Sequence, residues 1–164
     1  MIYKKHKQEF EIIIYGNMDK NLDYATKLRG IAEGMGNIHF MGTYLHEKSA
    51  EVFSNIDILV VPSLWYDFPL VIYEAFATKT PVIATNLGGM AEAITHNESG
   101  LLFERGDVND LAHQFNRIIE EPGLLKQLQT GIPVVKRIEQ EVEELERLYN
   151  QILTDAGDDP RKSV

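Results

Sequence analysis

The chain has 164 residues, 44% of them hydrophobic and 25% charged, which suits one soluble globular domain or one lobe of a larger protein. Sixteen basic against 25 acidic residues leave a net charge of −9. With a single dense basic stretch, Lys4-Lys5-His6-Lys7, such a chain is a poor binder of nucleic-acid phosphates. There are no cysteines, so disulfides, thiolate nucleophiles and zinc–thiolate sites are excluded and a reducing, cytoplasmic setting is expected.

No apolar run reaches the ~20 residues of a membrane span, and Met1-Ile2-Tyr3-Lys4-Lys5 lacks the apolar core of a signal peptide. The first apolar, β-branched run is Glu11–Tyr15, which reads as a strand. The turn after it, Tyr15-Gly16-Asn17-Met18-Asp19, lacks the second glycine of the G-x-G-x-x-G fingerprint, which argues against a dinucleotide-dependent oxidoreductase. Leu22, Ala25, Leu28 and Ala32 form a helical stripe that ends at Gly34, a residue suited to a left-handed cap.

A second strand is predicted over Ile38–Met41, and Glu47–Asn55 reads as a helix offering Ala50 and Phe53 to a core. Strands follow at Ile58–Val61, Pro81–Thr85 and Gly100–Phe103. Between them Lys79 sits in a polar turn with its ammonium in water, Gly88-Gly89 reads as a turn, and Glu92 as a cap partner or a solvent-facing acid. Asn97-Glu98-Ser99 fits a glycosylation sequon but, with no export signal, reads as a turn.

Asp107 is placed to cap a helix carrying Val108, Leu111, Ala112, Phe115, Ile118 and Ile119 at helical spacing. The segment Val134–Leu153 repeats apolar residues three and four apart (Val135, Ile138, Val142, Leu145, Tyr149, Ile152), as one helix packed along the side of the domain would. A lobe over residues 1–153 and a disordered polar tail over 154–164 are expected. Alternating strands and helices imply right-handed crossovers, hence an α/β fold: a Rossmann-like parallel sheet of about five strands with helices on both faces. In such sheets ligands lie beyond the carboxyl ends of the strands, here the loops after Tyr15, Met41, Val61 and Thr85.

The segment richest in chemistry is Asp57–Glu74. A buried strand ends at Pro62-Ser63, an irregular loop follows, and Pro69 is predicted as the first helical residue, where its missing N–H loses no hydrogen bond. The amides of Leu70, Val71 and Ile72 then become free donors at the positive end of a helix, an anion site suited to a diphosphate. Glu74, about one turn further in, is placed to accept from two adjacent hydroxyls of a ribose. The commoner reading of an acid near a helix start is simple complementation of the dipole.

Pro62-Ser63-Leu64-Trp65, the run from Phe68 to Ala75 (F-P-L-V-I-Y-E-A), T-P-V-I-A-T over 80–85, G-G-M-A-E over 88–92 and E-S-G-L-L-F over 98–103 occur in one order. Together they resemble the C-terminal, nucleotide-sugar-binding lobe of the group 1 (family 4) retaining glycosyltransferases of GT-B fold, from about Phe10 to about Leu153. The resemblance implies binding of a nucleoside-diphosphate sugar for retaining hexosyl transfer in polysaccharide biosynthesis, with no metal and no separate cofactor. It implies that Glu74, the second acid of the family's E-x7-E motif, holds the ribose and that the main chain around Pro69, Leu70 and Val71 holds the diphosphate. Thr43 and Tyr44 would border the base, and Asn17 would stand at the cleft mouth.

The first acid of the motif falls at Tyr66, so its catalytic role passes to the adjacent Asp67 if the loop is one residue shorter. The resemblance further implies that the opening strand and helix of the lobe, the cations that neutralise the departing diphosphate and the whole acceptor lobe lie outside this chain. The isolated lobe is then expected to bind nucleotide weakly and to turn over nothing. Any peripheral membrane contact is expected from the absent lobe.

Five histidines show no metal-ligand spacing. His39 and His46 flank the turn at Thr43 and Tyr44, where surface histidines are the commoner reading. Two other functions fit less well. A nucleotide-sugar epimerase of the same architecture would have only Asp67, Glu74 and Glu92 as cleft carboxylates, and a degenerate binding module is suggested by Tyr66 and the stripe of the last helix.

Overall fold

The computed structural model describes residues 10–65 and 69–157, with side chains described up to residue 154. They form two compact units, residues 1–133 and 134–164, each described by itself. In the first unit β1 (Ile12–Tyr15) is followed by a short turn of helix at Met18–Lys20 and by α1 (Leu22–Ala32). Then come β2 (Ile38–Gly42), a helical turn at His46–Lys48, α2 (Ser49–Ser54), β3 (Leu59–Val61) and α3 (Leu70–Ala77). The unit closes with β4 (Val82–Thr85), α4 (Gly88–Ala93), β5 (Gly100–Phe103), α5 (Val108–Glu120) and α6 (Leu124–Gly131).

All strand pairs are parallel, as the alternating pattern requires. The single sheet expected from the sequence is bonded as two among the described residues: β1 pairs with β2, and β4 lies between β3 and β5. The two ladders bury their strands differently. Every residue of β4 is buried, so a continuous apolar run is the right sequence for it. In β1 and β2 exposed positions alternate with half-buried ones, which leaves Ile13, Tyr15 and Met41 on an outer face despite their apolar character.

The core is built around Ile83, Leu101 and Phe103 of the three-stranded sheet and Leu124 and Leu128 of α6, with Leu111, Phe115 and Ile118 of α5 packed against them. Each fully buried aliphatic side chain of this kind contributes about 1.5–3 kcal/mol by leaving water. On α3, Ile72, Ala75 and Phe76 are buried, the i, i+3, i+4 spacing of one helix face. Asp107 caps α5 as predicted, its Oδ1 accepting from the amides of Asn109 (2.8 Å) and Asp110 (3.0 Å). Gly34 adopts the left-handed conformation expected after α1, at φ 76°.

Several expectations need correction. Pro69 is extended, at φ −76° and ψ 107°, and precedes the helix, whose first residue is Leu70. Leu22, Ala50 and Val108 are exposed, whereas Ala25 in α1 and Phe53 in α2 are buried as expected, with Ser49 buried in α2 as well. Lys79 is not simply solvated, because its Nζ donates to the Ile132 carbonyl at 2.9 Å. Gly88-Gly89, read as a turn, opens α4, where Met90 is fully buried. α6, which was not among the expected helices, follows a left-handed Gly123 at φ 86°.

The second unit carries α7 (Ile138–Gly157), which runs four residues past Leu153. Lys136 holds its start, with Nζ 2.6 Å from Glu144 and 3.6 Å from Glu141. Among the described residues no helix is long and apolar enough to cross a membrane.

Candidate functional site

The fold brings together stretches distant in sequence: the carboxyl ends of β1 and β2, α2, and α3, which follows β3. The ends of β1 and β2 are tied by Gly16 donating its amide to the Gly42 carbonyl at 2.8 Å. A register shift between Ile14 and Tyr15 sets Tyr15 opposite Gly42. Gly42 itself sits at φ 72°, a conformation that side chains resist, and this turns the chain into Thr43 and Tyr44.

Tyr44 is half-buried between two other rings. Tyr15 meets it edge-on with centroids 5.1 Å apart, and Phe53 of α2 meets it edge-on at 6.4 Å. Edge-to-face pairs at these separations are favourable ones and hold the phenol in place. Burial, then the negative charge of Glu74, then Tyr15, raise the Tyr44 pKa above its ordinary value. The phenol and the carboxylate thus share one environment.

Glu74 projects from α3 and is partly buried, its side chain 28% exposed. His46, from the turn after β2, places Nδ1 3.4 Å from Glu74 Oε1, and its own side chain is 85% exposed. The base-side turn and the ribose-side acid predicted from sequence are therefore neighbours. His46, which the sequence reads as a surface histidine, reaches that acid.

At the head of α3, Ile72 is not a free donor as expected: its amide bonds the Pro69 carbonyl at 3.0 Å. The amides of Leu70 and Val71 have no acceptor among the described residues, and Leu70 is exposed. Among the described residues two donors at this helix start, rather than the expected three, lack an acceptor.

Asn17 is less available than predicted, because its Oδ1 accepts from the Asp19 amide at 2.9 Å and caps the short helical turn that follows. Thr43 is exposed beside Tyr44. Asp67, the expected catalytic acid, lies outside the described residues, as do Tyr66 and Phe68. Trp65 precedes them, exposed, with its amide donating to Ser63 Oγ at 3.3 Å. Glu92 is exposed on α4, and His39 is exposed on β2. Sequence reasoning missed Tyr15 and Phe53, the outer rings of the aromatic row, since no local pattern marks residues that meet only through the fold.

The profile of the family Glycosyl transferases group 1 matches residues 1–121. The chain belongs to the group 1 glycosyltransferases. It corresponds to their C-terminal, Rossmann-like domain of the GT-B fold. It is 30% identical over 125 residues to a D-inositol 3-phosphate glycosyltransferase of Rhodococcus jostii, a match spanning 74% of this chain and 28% of that protein. Sucrose-phosphate synthase from Thermosynechococcus elongatus superposes with a TM-score of 0.74 at 26% identity, over 94% of this chain and 41% of the synthase. The Anabaena protein HepE, in complex with UDP-glucose, superposes with a TM-score of 0.71 at 21% identity, over 80% of this chain and 37% of HepE. This group 1 chain thus spans well under half the length of these relatives.

Proposed function

We propose that this chain is the donor-binding lobe of a hexosyltransferase that uses a uridine-diphosphate sugar and retains the anomeric configuration. One observation carries the reading: the partly buried Glu74 carboxylate stands 3.4 Å from His46, on the turn that follows Tyr44, and projects from the helix whose first amides have no acceptor among the described residues. A carboxylate accepts at two oxygens and so suits a ribose diol. The amides of Leu70 and Val71, without an acceptor among the described residues, suit the diphosphate. The row Tyr15–Tyr44 offers an edge for the base.

The base is inferred to be uracil because a neighbour of the same fold is seen with UDP-glucose. In this reading Asp67 contacts the donor sugar, no metal takes part, and catalysis is electrostatic, with fixed donors stabilising the diphosphate as the glycosidic bond breaks. The cations and the acceptor surface come from the rest of the whole protein, whose setting is polysaccharide assembly in the cytoplasm.

Calorimetric titration of this chain with UDP, GDP and ADP, beside a Glu74→Gln variant, tests the proposal. Hydrogen bonds to a charged group contribute about 1.5–3 kcal/mol each, so the variant should bind UDP at least about tenfold more weakly. Equal affinity of variant and wild type would overturn the ribose role.

A further inference from the structure

Glu74 is reached by His46, and among the described residues no hydrogen bond holds that imidazole in place. With 85% of its side chain exposed, His46 is not a packing residue, yet its Nδ1 stands 3.4 Å from Oε1. Its backbone is fixed: the helical turn is closed by Lys48 donating to the Leu45 carbonyl at 2.9 Å, and the next residues, Ser49 and Phe53, anchor α2 in the core. A glutamate on a helix surface is otherwise free to turn about its terminal torsion, which is broad and roughly two-fold. To accept from two adjacent hydroxyls both oxygens must face the diol together.

We propose that His46 is a positioning residue for the sugar of the nucleotide. The contact from its Nδ1 restrains Oε1, leaving the remaining lone pairs of the carboxylate turned to both ribose hydroxyls, and so sets the preference for a ribonucleotide over a deoxyribonucleotide. The inference rests on the ribose role of Glu74 proposed above. Each carboxylate oxygen has two acceptor positions, so the contact to His46 does not use up the capacity that the diol needs.

The test compares UDP with 2′-deoxyuridine diphosphate, by calorimetry, on the wild-type chain and on His46→Ala, His46→Asn and Glu74→Gln. Pre-orienting one flexible side chain corresponds to an affinity change of about three- to tenfold. The alanine variant should weaken UDP by that factor, leave the deoxynucleotide nearly unchanged, and melt at the wild-type temperature. Asparagine, whose amide nitrogen stands close to the place of Nδ1, should restore most of the discrimination. The proposal is overturned if His46→Ala weakens both nucleotides equally or neither, while Glu74→Gln still loses UDP selectively. If Glu74→Gln does not affect UDP, or the wild type binds no nucleotide, the ribose reading falls and this inference falls with it.

Discussion

Gly100 opens β5 opposite Val82 of β4, and the space there leaves no room for a methyl group. A Cβ at this position would stand 2.3 Å from the Val82 carbonyl oxygen, 3.2 Å from its carbon and 3.0 Å from Ile94 Cγ2. Two of these atoms belong to the backbone of a strand bonded on both edges, so no side-chain rotation relieves the clash. To restore ordinary contact the strands must part by roughly 1 Å, enough to stretch the neighbouring ladder bonds. Overpacking of this kind costs about 1–3 kcal/mol, whereas replacing glycine recovers about 0.4–1 kcal/mol by restricting the unfolded chain.

The clash wins, and Gly100→Ala should lower stability by about 1–2 kcal/mol and Tm by about 3–6 °C. The same chemical change at Gly30, inside α1 with nothing within 4 Å of the added carbon, should instead stabilise by about 0.5–1 kcal/mol. Urea denaturation followed by far-ultraviolet circular dichroism measures both. A Gly100→Ala protein as stable as wild type, or two variants shifted in the same direction, would refute this account of the β4–β5 pairing.

The phenol of Tyr44 supplies a pH signature: its pKa lies above the ordinary 10.0 through burial first and then Glu74 and Tyr15, so its contribution to stability is present below that value and lost as pH rises through the folded value. Urea midpoints of Tyr44→Phe should therefore gain on wild type as pH rises above 10.0, and a parallel course across that range would contradict the assignment. Leu128→Ala, which empties a fully buried position in α6, should cost about 2–5 kcal/mol in the same assay. Asp107→Ala removes both cap bonds of α5 and should cost about 1 kcal/mol, with the loss of helicity read by circular dichroism.

The strands were readable because each is a short apolar run bounded by turn residues, and Asp107 because a cap acts locally. α4 was hidden because two glycines open it, and burial of Met90 overrides their poor helix propensity. α6 was hidden because its start has no capping side chain, only a left-handed Gly123. At the candidate site Glu74, Tyr44 and the helix start were singled out by the resemblance to a known family. Their closeness was not, nor was the contact between Glu74 and His46, since those residues lie on different elements and only the crossovers between parallel strands bring them together. The same limit explains Ile72, whose amide is taken by Pro69 once that proline sits before the helix rather than in it.

Trp65 is the one tryptophan of the chain, and it stands 78% exposed on the loop between β3 and α3. The protein's fluorescence therefore comes mainly from a single hydrated indole a few residues before the Leu70 and Val71 amides. A ligand that settles on this loop sheds water from that ring and moves its emission to shorter wavelength. The molecule thus carries its own optical reporter, so occupancy of the helix head can be followed without a label, by a signal that ligands bound elsewhere on the lobe would leave unmoved.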